Sequence, residues 1–160
     1  GLAMEKGLPT TAALTVRRPA GHVYDLVAHR PVPVRAAGGA LRFTARFGPG
    51  DGRLFLIAPT PIRGVRVAAP ARASRGGAVR VEVTVVDPRG AAVPAVVPVQ
   101  VEVLDPRQRP AEPSGYYGAK DGKLSFTLDL APNDLPGRWV IRARELASGS
   151  SGARAFTVAR

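Results

Sequence analysis

The sequence predicts an all-β chain of two β domains, the second an immunoglobulin-like antiparallel β-sandwich, and three observations carry that reading. Apolar and polar residues alternate in short runs such as AVRVEVTVV, PVQVEVL, KLSFTLDL and GRWVIRAR, which is the two-residue period of half-buried strands. Gly and Pro supply 18 and 16 of the 160 residues. They fall between those runs, where the turns of short strands need them, instead of forming a periodic tract. No window longer than about ten residues keeps apolar residues at helical spacing without meeting a Pro or Gly.

The first domain is expected over residues 10–61. It contains ALTVRR, HVYDLVAH, PVPVR, ALRFTARF and RLFLIAP, with turn signals at Pro19-Ala20-Gly21, Gly38-Gly39 and residues 48–52. In LRFTARF, Leu41, Phe43, Ala45 and Phe47 point one way and Arg42, Thr44 and Arg46 the other, so its phenylalanines should anchor a first core. The unbroken apolar stretch from Leu54 to Ala58 predicts a strand covered on both faces, with Phe55 and Leu56 both hidden.

The second domain is expected over residues 62–160. IRGVRVAAP opens it and a turn-rich bridge follows. Val79, Val81, Val83 and Val85 then form an inward face opposite Arg80, Glu82 and Thr84, and Asp87-Pro88-Arg89-Gly90 makes the turn. Val99, Val101 and Val103 repeat the pattern against Gln100 and Glu102. Residues 107–121 read as a loop. Leu124, Phe126, Leu128 and Leu130 alternate next, Pro136-Gly137 turns the chain, and Trp139, Ile141 and Ala143 face inward opposite Arg138, Val140, Arg142 and Arg144. A hairpin loop over 145–149 leads to a last strand completed by Phe156 and Val158.

Charge narrows the partners. The chain carries 23 Lys and Arg against 12 Asp and Glu, a net charge of +11. Several arginines occupy the polar side of alternating strands, and no basic helix, RNA-binding aromatic motif or zinc-finger spacing accompanies them. An Arg-rich solvated surface is expected, with an acidic domain or polyanionic surface as its natural counterpart and nucleic acid not the expected partner. There is no cysteine, which removes disulfides, thiolate catalysis and thiolate-bound zinc. No run is long and apolar enough for a transmembrane helix, and no signal peptide is visible. Gly1-Leu2-Ala3 before Met4 reads as cloning residues, so a longer parent protein is expected.

No catalytic pattern stands out. His22 and His29 are seven residues apart, off any zinc spacing, and a site shared with Asp25 is the weaker reading beside simple packing. Asp51, Asp87, Asp105, Asp121 and Asp134 all fall in turns, where a carboxylate accepts local N–H groups. Calcium at Asp121 or Asp134 is the lesser alternative, because neither loop has alternating oxygen ligands. There is no nucleophile elbow and no phosphate loop. The chain is therefore expected to be no enzyme and to need no cofactor or metal. The best candidate contact surface is the 107–121 segment, with Tyr116, Tyr117, Arg107 and Arg109 as binding residues, since aromatics and arginines suit protein or glycan contact. Trp139 is expected in the core.

From Ile62 onward the chain also carries a resemblance. A strand ending in DPRG, a second ending in DP, then YYGAKDGKLSFTLDLAPNDLPGRWVIRARELASGSSGARAFTV is similar to the macroglobulin-type β-sandwich modules of the alpha-2-macroglobulins. The preceding VYDL, LRFTARF and RLFLIAP resemble small β-domains of large secreted bacterial multidomain proteins. The thioester motif and bait region of macroglobulins have no counterpart here. The resemblance implies an extracytoplasmic accessory module, periplasmic or secreted, that spaces or docks neighbouring domains or another protein. The alternative is a carbohydrate-binding accessory module of a glycoside hydrolase, with a glycan as partner.

Overall fold

The computed structural model describes residues 10–47 and 52–160. All regular structure among them is strand, as the alternating pattern predicts. Strands β1 (Thr10–Val16), β4 (Arg35–Ala37) and β5 (Ala40–Phe47) form one sheet in the order β1-β5-β4. Strands β2 (His22–Asp25), β3 (Arg30–Val32) and β6 (Phe55–Ala58) form another in the order β3-β2-β6. Between them Val23, Leu41 and Phe43 are buried and Leu14, Val32, Phe55 and Ile57 pack around them. Phe43 meets Phe55 edge-on at 5.1 Å between ring centres, a favourable aromatic geometry. The side chain of Phe47, the turn over 48–51 and Asp51 lie outside the described residues.

One expectation here needs correction. The 54–58 stretch is not covered on both faces: Leu54 precedes β6 and is 66 % exposed, while Phe55, Leu56 and Ile57 are half-buried. With only three strands in its sheet, β6 is an edge. Continuous apolarity reports two faces covered only for a central strand.

Strands β7 (Gly64–Ala68), β9 (Ala78–Val86) and β12 (Lys123–Asp129) make a sheet in the order β12-β9-β7. Facing it are β8 (Arg72–Ala73), β10 (Val97–Leu104), β11 (Gly115–Ala119), β13 (Gly137–Glu145) and β14 (Ser151–Val158), in the order β11-β10-β13-β14-β8. This is an immunoglobulin-like β-sandwich. Alternation works as expected: Val79, Val81, Val83 and Val85 of β9 and Val97, Val99, Val101 and Val103 of β10 are all fully buried. Each contributes roughly 1.5–3 kcal/mol of burial. Trp139 and Phe156 stack across β13 and β14 at 5.9 Å. One edge departs from the antiparallel expectation, because β8 adds to β14 in parallel through Thr157 and Val158.

The two sets of sheets touch through named residues. Tyr24, Ala58, Leu26 and Leu56 belong to or pack against the sandwich core. The Tyr24 hydroxyl accepts the Ile62 N–H at 2.8 Å, and burial, followed by the nearby Glu145 carboxylate, raises the phenol above its ordinary pKa against the opposing effect of the Ile62 bond. His29, in a left-handed conformation (φ 55°), donates Nδ1–H to the Leu146 carbonyl at 2.6 Å. Among the described residues no helix is long and apolar enough to cross a membrane.

Candidate functional site

Two features of the residues expected to form a contact surface follow from local geometry. Residues 115–119, expected within a loop, form the edge strand β11, pairing with β10 from Val97↔Ala119 to Val101↔Gly115. The two glycines in GYYGA mask its period. Once extended, neighbouring residues must face opposite ways. Tyr116 therefore points out and is 74 % exposed, whereas Tyr117 turns inward, stacks on Phe126 of the opposite sheet at 6.1 Å and donates its hydroxyl to the Pro113 carbonyl.

Arg107 and Arg109 sit in the turn between β10 and β11 and are exposed. That turn is organised by Asp105, whose Oδ1 accepts the N–H groups of Arg107 and Arg109 and whose Oδ2 accepts Arg109 Nε at 3.0 Å. Desolvation, the largest single influence, pushes the carboxyl up, but these bonds and the Arg109 charge together outweigh it and hold its pKa below the ordinary 3.8. A carboxyl lowered in the folded state stabilises that state above its unfolded pKa and loses the effect as pH falls through the native one. Comparing Asp105→Asn with the parent protein from pH 7 to pH 2 should show a constant stability difference above the unfolded value and a shrinking one below it. A difference that grows on acidification would contradict the turn geometry. Arg109 is thus committed to Asp105, and the four residues do not converge on one point.

The cross-strand register instead assembles a different surface around Tyr116. Tyr116 lies opposite Gln100, Gln100 opposite Arg144, and Arg144 opposite Ser151. One pair along, Glu102 faces Arg142 and Arg142 faces Ala153. Near the other end Arg138 faces Thr157, which faces Arg72. Directly paired residues share a face. The outer face of the five-stranded sheet therefore presents Arg72, Arg138, Arg142 and Arg144, all exposed, against a single acid, Glu102.

The face is shaped as well as charged. Long side chains on β10 and β13 stand beside Ser151, Gly152 and Ala153 on β14, which leaves an open depression of about 500 Å³. Gly152 has a second duty on the inner side, where a Cβ would strike the Val65 carbonyl of β7. No ion pair among the described residues engages Arg142 or Arg144, and Arg144 Nε makes only a long 3.4 Å bond to the Gly149 carbonyl. Such guanidinium groups can offer several N–H donors to carboxylates or sulfates. No base is hydrogen-bonded to Ser151 among the described residues.

The remaining polar candidates have local partners. Asp25 accepts the N–H groups of Val27 and Ala28 and pairs with Arg53 at 3.3 Å. Asp87 accepts those of Arg89 and Ala91, and Asp134 that of Ala131. Asp121 occupies a left-handed turn position. Among the described residues no three His, Asp or Glu side chains gather as a metal site. The most buried acid among the described residues, Glu145, lies where the sequence predicts the start of a loop. It ends β13 facing the core, in phase with Trp139, Ile141 and Ala143.

Fold and face together define the class: a β-sandwich with an open, basic sheet surface. No protein-family model matches the chain, and no curated protein matches it in sequence. Solved structures do resemble it. A glycosyl hydrolase family 2 member from Bacteroides cellulosilyticus superposes with a TM-score of 0.50 at 11% identity, covering 99% of this chain and 24% of that one. The Yersinia pseudotuberculosis adhesin InvE gives 0.47 at 16% identity, over 95% of this chain and 49% of the adhesin. The PKD domain of a peptidase from a Thermoplasmatales archaeon gives 0.41 at 17% identity over 61% of this chain and 94% of the domain. At these identities the likeness concerns the fold alone. The chain spans about half the length of the adhesin chain and a quarter of the hydrolase chain.

Proposed function

We propose that this chain is a non-catalytic accessory module of a larger extracytoplasmic bacterial protein, docking through the outer face of its five-stranded sheet onto an acidic surface of a neighbouring domain or another protein. The observation that carries the reading is the concentration of Arg72, Arg138, Arg142 and Arg144 on one open face with only Glu102 among them. A field of one sign on a flat face speeds and orients association with the opposite sign. Tyr116 stands on this face as an aromatic anchor, and exposed Arg107 adds positive charge from the β10–β11 turn, while Arg109 is held by Asp105. Within the module we assign residues 10–61 to a small β-domain and 62–160 to the sandwich, for which the strand order ending in PGRW and FTV supports a macroglobulin-type kinship.

The test is charge reversal on this face against an equal reversal elsewhere. Poly-L-glutamate serves as the acidic probe. Arg142→Glu with Arg144→Glu should weaken its binding at least about tenfold, with melting temperature little changed. Arg66→Glu with Arg80→Glu, exposed on the other sheet, alters net charge identically and should weaken it far less. Equal losses would mean that net charge alone acts and would sink the assignment.

A second reading, a carbohydrate-binding module beside a hydrolase, is favoured by the open Tyr116 ring next to Gln100. A stacked sugar needs such a ring with hydrogen-bonding neighbours. Binding to neutral xylan or laminarin that Tyr116→Ala abolishes and Arg142→Glu spares would support it.

A further inference from the structure

The edge of the sandwich where β11 and β12 end their sheets carries a groove of contrary character. About 560 Å³ of open space lies between the β10–β11 turn, the β12–β13 turn and the consecutive residues Phe126, Thr127, Leu128 and Asp129. Residues of both strand faces line it in sequence, so the backbone edge of β12 itself forms one wall. β12 pairs with β9 on its other side, in unbroken register from Lys123↔Thr84 to Asp129↔Ala78. Its groove-side edge has no strand partner among the described residues. The strand contains no proline and its pairing with β9 has no bulge, two of the devices that blunt an edge, and its one lysine, Lys123, stands at the far end from the groove.

The groove floor makes no polar demands. Tyr117 and Phe126 stack with nearly parallel rings, the Tyr117 hydroxyl is bound to the Pro113 carbonyl, and Trp139 Nε1–H is bound to the Leu135 carbonyl at 2.9 Å. What remains on offer is half-buried aromatic surface. Around it stand Glu112, Asp129 and Asp134, and no Lys or Arg lines the groove, although the chain has 23 of them. On a chain of net charge +11, a groove whose charged lining is carboxylate alone favours a cationic ligand.

We propose that the β12 edge accepts an extended segment of another polypeptide by strand addition, a segment in which Lys or Arg alternates with apolar residues. Its backbone would pair with the open edge at Phe126–Asp129, giving affinity. Its apolar side chains would cover the Tyr117–Phe126 stack and its cations would face Glu112, Asp129 and Asp134, giving specificity.

The probe is a fluorescein-labelled octapeptide of alternating Lys and Val, blocked at both ends, titrated by anisotropy against the whole chain. Saturable binding is expected despite the like net charges. A Glu–Val peptide of the same pattern should bind at least about tenfold more weakly. The free backbone groups of β12 are those of outward-facing Thr127 and Asp129, so one of two N-methylated Lys–Val peptides should lose as much: methylation at each Lys for an antiparallel addition, at each Val for a parallel one. Asp129→Lys, a change at an exposed position, should cause a similar loss without altering the melt. No saturable binding by the Lys–Val peptide, full binding of both N-methylated peptides, or full affinity in Asp129→Lys would each overturn the proposal. So would sedimentation showing a dimer that Asp129→Lys disperses, since the edge would then be taken by a second copy.

Discussion

Replacing Glu145 with alanine is expected to destabilise the chain by about 3–5 kcal/mol, the scale of stripping one partner from a buried charged hydrogen-bond set. The side chain is fully buried. Its carboxylate accepts the N–H groups of Ala147 at 2.8 Å, Ser148 at 2.9 Å and Ser150 at 2.7 Å, and also the Ser148 hydroxyl. Alanine leaves those donors facing a void with no acceptor. Glu145→Gln keeps the volume and one acceptor oxygen but turns an NH2 group toward donors, so its loss should be smaller but clear. Urea denaturation followed by circular dichroism measures both. The same loop presents the Leu146 carbonyl to His29 and so seats the β2 turn on the sandwich. Tryptophan fluorescence reports the sandwich core at Trp139, and it should shift together with backbone signals if the two sets of sheets unfold as one. A loss below about 1 kcal/mol for alanine would show that water replaces the carboxylate freely and that the loop is not built around it.

The contrast between Glu145 and the valines shows where sequence reading succeeds and where it stops. Val79 to Val85 and Val97 to Val103 declare their strands because alternation is local and the inward residues are apolar. Glu145 has the same phase as Trp139 and Ile141, but a charged residue type argued for a loop. The signal was present in the period and hidden by the chemistry. β11 was missed for another reason, since five residues with two glycines give too little pattern to separate a strand from a turn. Alternation alone does predict that Tyr116 and Tyr117 part company once the segment is extended. The basic face was half legible: Arg142 and Arg144 sit on the polar side of their strand in any reading. Their company with Gln100, Tyr116 and Ser151 depends on the register of β10, β11, β13 and β14. Register across tens of residues is fixed by packing and not by any local run. The groove along β12 is least legible, because it consists of what does not pair.

Gly122→Ala should be the most damaging glycine substitution in a turn, costing about 3–5 kcal/mol through two separable effects. Gly122 has φ +72° in the turn joining β11 to β12, where a side chain is disfavoured by about 1–2 kcal/mol. An added Cβ would also stand 2.5 Å from the Val93 carbonyl oxygen and 2.9 Å from its nitrogen. Those backbone atoms cannot swing aside as a flexible side chain would. Val93 N donates to the Val85 carbonyl, Gly122 N to the Ala95 carbonyl, and Gly122 in turn accepts the Val85 N–H, each within 2.9 Å. Alanine must therefore push apart three chain segments that hold one another. Gly90 supplies the comparison, with φ +81° and nothing within 4 Å of an added Cβ. Gly90→Ala should show the conformational cost alone, so the difference between the two variants measures the close approach at Val93. If guanidinium denaturation gave equal losses, the turn would have room to relax, and the tight apposition of β9, the 93–95 segment and the β11–β12 turn would not be what fixes this end of the sandwich.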